Sequence, residues 1–581
     1  MTHRRSARAS IALGWSVLVI LAGGCGEPPP APDTDPDGRG GEIIASVRSE
    51  PRTFNRFILV DSTAALVSTL LNAKLVRIDP SSDEVEPWLA EGWTASPDGL
   101  TYTITLRSDV RFSDGEPFTS TDVVFSFAAV YDDVLASPLG DSLRVGGDPL
   151  EVAAPDDRTV VVTFPTAFGP GMRLLDNLTI LPSHLLEPKL REGSLASAWG
   201  LTTAPSELAG LGPFVLSQYI PGQRLIFTPN PEYWRTDEAG RPLPYLSRLT
   251  LEIVPDQNAE ILRLEAGEID FTTTEVRPED YASIERAAAE GRLQLFDGGV
   301  GLDADFLWFN LTAARESADP ARPWLRRTEF RRAVAHAVDR EAFANTVYLG
   351  LADVVHGPVT PGNRAWFAPA VPGHAFDRAR ARALLNEIGL ADRDSDGQME
   401  SAEGAEVRFT LLTQRGNTNR ERAAAVLQED LRQVGIAVDV VPLEGLALID
   451  RIMSGDYDAA YFGVLASDTD PAVNLSFWMS SGGFHIWNPG QSVPATDWEA
   501  RIDELMLQQV ATRDRGERVQ LFADVQAIFA DQIPALYFAA PHAYFATSAG
   551  IRGAVPKLLR PHLLWNAESL YVAGVENGNP E

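Results

Sequence analysis

Closely spaced carboxylates are the residues of this chain best placed to do chemistry. DRDSDGQMESAE, at 392–403, sets Asp392, Asp394 and Asp396 at positions one, three and five of a twelve-residue loop, with Gly397 sixth and Glu403 last. Alternating carboxylates around a sharp turn can wrap one hard cation in oxygens. With Gln398 completing the expected ligand set, a structural Ca2+ is the one ion the sequence suggests. A helix precedes the loop but a strand follows it, so the plainer reading is an acidic turn. A second polar group is LASDTDP, 465–471, where Ser467, Asp468 and Asp470 either cap the loop or meet a ligand. Signals for catalysis are missing. There is no G-x-S-x-G elbow, no H-E-x-x-H and no G-x-x-x-x-G-K-[ST]. The eight histidines show no metal-ligand spacing. His485 in GGFHIWN reads as structural before it reads as a ligand for a metal chelate. No enzyme is indicated, and no cofactor is required.

Periodicity shows what must position the 465–471 loop. EVRFTLLTQ, IAVDVVPL and YDAAYFGV read as strands. Between them lie two helices, NRERAAAVLQEDLRQVG with Asn419 as N-cap and EGLALIDRIMSG. This β-α-β-α-β order calls for a parallel sheet. Ligands lie beyond the carboxyl ends of such strands, which is where the loop falls. Nearer the N-terminus, TYTITL alternates with Tyr102, Ile104 and Leu106 on one face. Thr119 and Asp122 then have capping-box spacing before a helix. EFRRAVAHAVD (329–339) and DRARARALLNEIG, with Asp377 as N-cap, are two further helices.

The 581 residues exceed what one core supports, so at least two domains are expected. The formal charge of −31 repels nucleic acid and anionic lipid. The single cysteine, Cys25, excludes an intrachain disulfide. It follows a basic start (Arg4, Arg5, Arg8), an apolar run and Ala22-Gly23-Gly24, the order of a secretory signal too short to span a membrane. LAGGC resembles the lipobox of bacterial lipoproteins, with Leu21 one place early. That resemblance implies cleavage after residue 24 and lipidation of Cys25. Residues 25–42, rich in Pro, Gly and Asp, read as a flexible tether.

PWLAEGWTASPDGLTYTITLRSDVRFSDGEPFTSTDVVFSF (87–127), LGPFVLSQYIPGQRLIFTPNPEYW, LEAGEIDF, FRRAVAHAVDREAF and SGDYDAAYFG occur in an order that resembles the family 5 extracellular solute-binding proteins. These are the binding subunits of peptide, nickel and some oligosaccharide ABC importers. The resemblance implies an α/β, bilobal periplasmic-binding-protein fold of the large type II variant. The first-lobe core would span 43–77, 201–303 and 537–575, with an inserted subdomain at 78–200 and a second lobe at 304–536. It implies a monomer that swallows a small solute, a peptide foremost, and delivers it to a permease and its ATPase. An oligosaccharide or a metal chelate in the same cleft is the alternative, as is a scavenging or sensing lipoprotein without its own permease. In peptide-binding members an aspartate four residues before the loop's proline holds the ligand's α-amino group. Ser467 stands there, so either Asp468 takes over or a free N-terminus is not read. Val464 replaces the family's aromatic after Gly463. The expected ligand contacts are Asp61, Ser62, Gly463, Val464, Leu465, Ser467, Asp468, Trp487 and Tyr537. Trp366 and Trp478 are further aromatic candidates.

Overall fold

The computed structural model describes residues 40–58, 61–312, 322–463 and 468–574. Cys25, the expected signal and most of the tether lie outside them. Glu42, placed at the tether's end, is already the first residue of a strand.

Three sheets of four or more strands carry the chain. In the largest, Glu42–Val47 runs parallel to Arg248–Ile253 and Phe271–Thr272. Ala539–Ser548 lies antiparallel between Phe271–Thr272 and Leu293–Val300. A four-stranded antiparallel sheet holds Ala90–Ala95, Thr101–Leu106, Thr159–Thr163 and Glu151–Asp156. Tyr102, Ile104 and Leu106 turn one buried face of it inward, as their alternation predicts. The helix Ser120–Val130 begins at the expected capping box, with Thr119 N–H donating to Asp122 Oδ2 at 2.9 Å. One apolar cluster joins these two sheets into lobe one.

The third sheet has five strands, in the order Ala437–Leu443, Arg408–Gln414, Ala459–Phe462, Phe306–Phe309, Ala535–Tyr537. The first three are parallel and are linked by the helices Thr418–Arg432 and Gly445–Met453. This is the predicted β-α-β-α-β unit, and a second apolar cluster around it forms lobe two. One detail differs. The cap of Thr418–Arg432 is Asn417, not Asn419: the extended backbone at Asn417 lets its Oδ1 accept from Arg420 N–H, while the Oδ1 of Asn419 is buried without a partner.

Among the described residues the chain passes from one large sheet to the other at 301–305 and at Phe538, a single buried residue between two strands, and Ala352–Val354 pairs antiparallel with the start of Ala539–Ser548 beside that crossing. Phe409, on the lobe-two strand Arg408–Gln414, is fully buried with Phe309 and Phe330 edge-on at 5.3 and 6.4 Å. Phe409→Ala removes an aromatic body from a close-packed site and should cost about 3–5 kcal/mol. Denaturant unfolding of lobe two is the measurement.

Candidate ligand-binding cleft

Strand direction locates the site. Ala535–Tyr537 runs into the Phe538 crossing, and Phe306–Phe309, pairing antiparallel to it, runs away from the other crossing. Ala459–Phe462 is antiparallel to Phe306–Phe309, so its carboxyl end returns to the crossing, and Arg408–Gln414 follows in parallel. In lobe one, Ala539–Ser548 leaves the crossing antiparallel to Phe271–Thr272, so the parallel strands there also end toward it. The carboxyl ends of both parallel sets therefore converge where the lobes meet.

Gly463 ends the lobe-two strand at this junction. A Cβ there would lie 2.2 Å from Asp305 Oδ1. The space goes to a two-pronged ion pair: Arg420 Nε and Nη2 donate to Asp305 Oδ2 and Oδ1 at 2.9 and 2.8 Å. The same guanidinium donates to Gln414 and lies 4.0 Å from the ring centre of Phe462. Gly463→Ala drives a methyl into Asp305. A loss of about 1–3 kcal/mol in lobe-two stability is expected, read as a lowered melting temperature.

Asp468 meets the other lobe. Arg173, on the short 3-10 helix Gly171–Asn177 of lobe one, donates through Nε to Asp468 Oδ1 and Oδ2 at 2.9 and 3.1 Å, and through Nη2 to Oδ1. Its Nη2 also donates to Asp83 Oδ1 at 2.8 Å and to Thr469 Oγ1 at 2.7 Å, and its Nη1 to the Asp83 carbonyl at 2.9 Å. Both side chains of the Arg173–Asp468 pair are about 5% exposed. Burial pushes the Asp468 carboxyl up against the pull of Arg173. Burial pulls Arg173 down, but Asp468 and Asp83 outweigh it and hold the guanidinium charged, its pKa raised. Arg515 of lobe two adds bonds to Asp83 Oδ2 at 2.7 Å and Glu84 Oε1 at 2.5 Å. Gly169 N–H donates to the Val510 carbonyl at 2.5 Å, where a side chain would strike the carbonyl oxygen of Thr512. Asp470 accepts from Arg518 at 2.9 and 2.6 Å, and from Ala472 N–H at 3.0 Å as it caps the following turn.

These contacts reassign several expected ligand residues. Asp468 is committed to Arg173 and does not offer a free carboxylate to an amine. Trp487, 1% exposed, packs on Phe477 and Phe529 at 5.2 and 5.5 Å, and belongs to the lobe-two core rather than to a ligand platform. Tyr537 is likewise buried, its ring 4.8 Å from that of Phe306. Trp366 and Trp478 are core residues too. Asp61 accepts from Ala64 N–H at 2.8 Å as the N-cap of Ser62–Leu71, which leaves Ser62 exposed at the first turn. Gly463 follows the strand Ala459–Phe462 directly, while Val464, Leu465 and Ser467 lie outside the described residues. Arg173, Asp83, Asp305 and Arg420 escaped sequence reading. Arginine and aspartate this far apart in the chain leave no local pattern.

The acidic loop also differs from expectation. Ligand oxygens of Asp392, Asp394, Asp396 and Glu400 lie within 4.8 Å of one another. Glu403 is not among them, because it accepts from Ser401 Oγ at 2.9 Å. The chain folds back through bridges from Glu400 to Ala391 and Glu406, so the ninth residue returns to the loop and not the twelfth. Asp392, Asp394 and Asp396 each accept a backbone N–H of the loop itself, and Gln398 stays outside the cluster.

His485 is 2% exposed and pairs with Glu499 at 3.2 Å, so its role is structural. Burial pushes the Glu499 carboxyl up, but hydrogen bonds to His485, Thr496 and Gln491 outweigh this and hold its pKa below the ordinary value. A depressed carboxylate contributes stability that is present above its unfolded pKa and lost as pH falls through the folded one. Glu499→Gln should therefore flatten the acid limb of stability below about pH 4.5, measured as melting temperature against pH.

Residues 84–485 match the family of bacterial extracellular solute-binding proteins, family 5 (middle). That stretch is more than half of the 581 residues, and the chain belongs to this family. It is a binder of solute, not an enzyme. A probable ABC transporter-binding protein of Deinococcus radiodurans is 26% identical over 536 residues, 88% of this chain and 89% of that protein. The oligopeptide-binding protein AppA of Bacillus subtilis is 25% identical over 525 residues, 89% of each. The structure of the periplasmic binding protein MelB of Agrobacterium fabrum C58, in complex with stachyose, aligns with a TM-score of 0.75 at 22% identity, over 94% of this chain and 87% of that one. Among the described residues no helix is long and apolar enough to cross a membrane.

Proposed function

We propose that the cleft captures an oligopeptide without reading the charge of its N-terminus, and that the protein hands it to an ABC permease and its ATPase. The observation that carries this reading is the Arg173–Asp468 pair. Ser467 has no carboxylate to offer, and Asp468 is already neutralised. An ammonium buried without a counter-charge costs several kcal/mol, so a ligand whose amine must be buried is disfavoured. The peptide class is supported by the likeness to an oligopeptide-binding relative over 89% of the chain. The same missing charge favours one second reading, an uncharged oligosaccharide, which the stachyose-bound structure of similar fold makes concrete. Cys25 would anchor the protein by lipid to a membrane of the cell envelope, with the Pro-, Gly- and Asp-rich residues after it as tether.

Calorimetric titration of the refolded, ligand-stripped protein tests the ligand class. Free and N-acetylated oligopeptides should bind within about tenfold of one another. Collapse of binding on acetylation would return an amine site to the cleft. Binding of stachyose alone would replace peptide by sugar.

The pair also holds the lobes together, so its removal should reach closure. Arg173→Ala strands Asp468 as a buried, unpaired charge at a cost of about 3–5 kcal/mol. Ligand affinity should fall by roughly two to three orders of magnitude. The radius of gyration of the ligand-saturated protein, by small-angle scattering, should rise toward that of an open form.

A further inference from the structure

Lobe one contains a cavity of about 220 Å³ that the interlobe cleft does not use. It lies among the helix Ser62–Leu71, the paired strands Ala73–Lys74 and Thr179–Ile180, and the turn at 559–568. Four cationic side chains line it, Arg56, Lys74, Arg77 and Arg560, against two carboxylates, Asp176 and Glu568. The lining is therefore cationic by two formal charges (4 − 2) in a protein whose net charge is −31. Lys74 is one of only three lysines in the chain.

Both carboxylates are spoken for. Asp176 accepts from Lys74 Nζ at 2.8 Å. Glu568 accepts from Arg235 Nη1 at 2.5 Å and lies 3.6 Å from Arg77 Nη1. Arg77 is held further by Glu86, and its guanidinium carbon lies 3.7 Å from the Trp88 ring centre and 5.2 Å from that of Trp565. Arg56 differs from the rest. Among the described residues its guanidinium has neither a hydrogen bond nor an ion pair, though the residue is half-buried beside the cavity. Burial pulls its pKa down to about 10, with only the more distant Asp176 opposing. A desolvated guanidinium without an anion is an unfavourable arrangement, and a five-donor fork facing a cavity is suited to an oxyanion. Lys74 and Arg560 keep 35% and 39% of their side chains exposed, which leaves a route from solvent. The volume falls below the ~300–1,000 Å³ of pockets for drug-sized ligands, so a peptide or an oligosaccharide does not fit.

We propose that this cavity is a second binding site, separate from the cleft, for a small organic dianion whose oxyanion group sits on Arg56 and Lys74 and whose body lies along the apolar lining of Leu70, Leu559 and Leu564. A phosphate monoester and a dicarboxylate share this chemistry. The proposal does not depend on what the cleft holds.

The test titrates phenyl phosphate, inorganic phosphate and succinate separately into the wild-type protein and the Arg56→Met and Lys74→Met variants. Saturable binding of at least one dianion in the millimolar range or tighter is expected, weakened about tenfold or more in each variant. Phenyl phosphate binding best identifies a phosphate monoester, and succinate binding best a dicarboxylate. Melting temperature separates a ligand role from a structural one. In buffer free of polyvalent anions, Arg56→Met should melt above wild type, because an uncompensated charge has gone, and only wild type should gain from added dianion. No binding of any of the three, binding in both variants as tight as in wild type, or an Arg56→Met protein that melts below wild type or fails to fold would overturn the proposal. Titration of the cleft ligand into Arg56→Met should give the wild-type affinity, which keeps the two sites distinguishable.

Discussion

Phe538 is the tightest constraint in the molecule. One buried residue joins the last strand of the lobe-two sheet to the longest strand of the lobe-one sheet. With so little chain between them, neither sheet can slide or turn freely relative to the other. Hydrogen-bond direction does the rest. Pairing antiparallel to the strands at the crossing brings the carboxyl ends of both parallel sets to the same place. The cleft is where it is because two sheets share one strand path.

Three acids near that junction are each paired with an arginine among the described residues. Asp305 is clasped by Arg420, Asp468 by Arg173 and Asp470 by Arg518, in each case by more than one hydrogen bond. Buried acids and guanidiniums in this geometry offset their desolvation only while both partners stay in place.

Local periodicity was enough to read the scaffold, and it failed where contacts were distant. The β-α-β-α-β unit and the Thr119–Asp122 cap were legible because each depends on residues within a turn or a strand of one another. Asn417 and Asn419 are two residues apart with the same side chain, and only the backbone angle at the first picks the cap. Trp487 is buried among Phe477 and Phe529, because aromatic type alone does not tell a stacking face from a core neighbour, and Tyr537 at the crossing packs on Phe306. Spacing alone puts the closing ligand of the acidic loop at its twelfth residue, Glu403. The chain turns back in short bridges instead. Arg173 and Asp468 stand 295 positions apart, and no spacing rule reaches that far.

Away from the crossings, lobe one reaches lobe two through its smaller sheet's surroundings. Arg173 and Gly169 come from the segment that follows Thr159–Thr163, and Asp83 from the turn before Ala90–Ala95. The jaw that touches lobe two is thus an appendage, while the hinge belongs to the large sheet. Jaw and hinge are separate parts of the chain, like the arm and the pivot of a calliper. Lengthening or trimming the arm alone would reset the gap at which the jaws meet, with the pivot untouched. Such modularity gives evolution a way to change the span of solute admitted without having to refold the machine that closes on it.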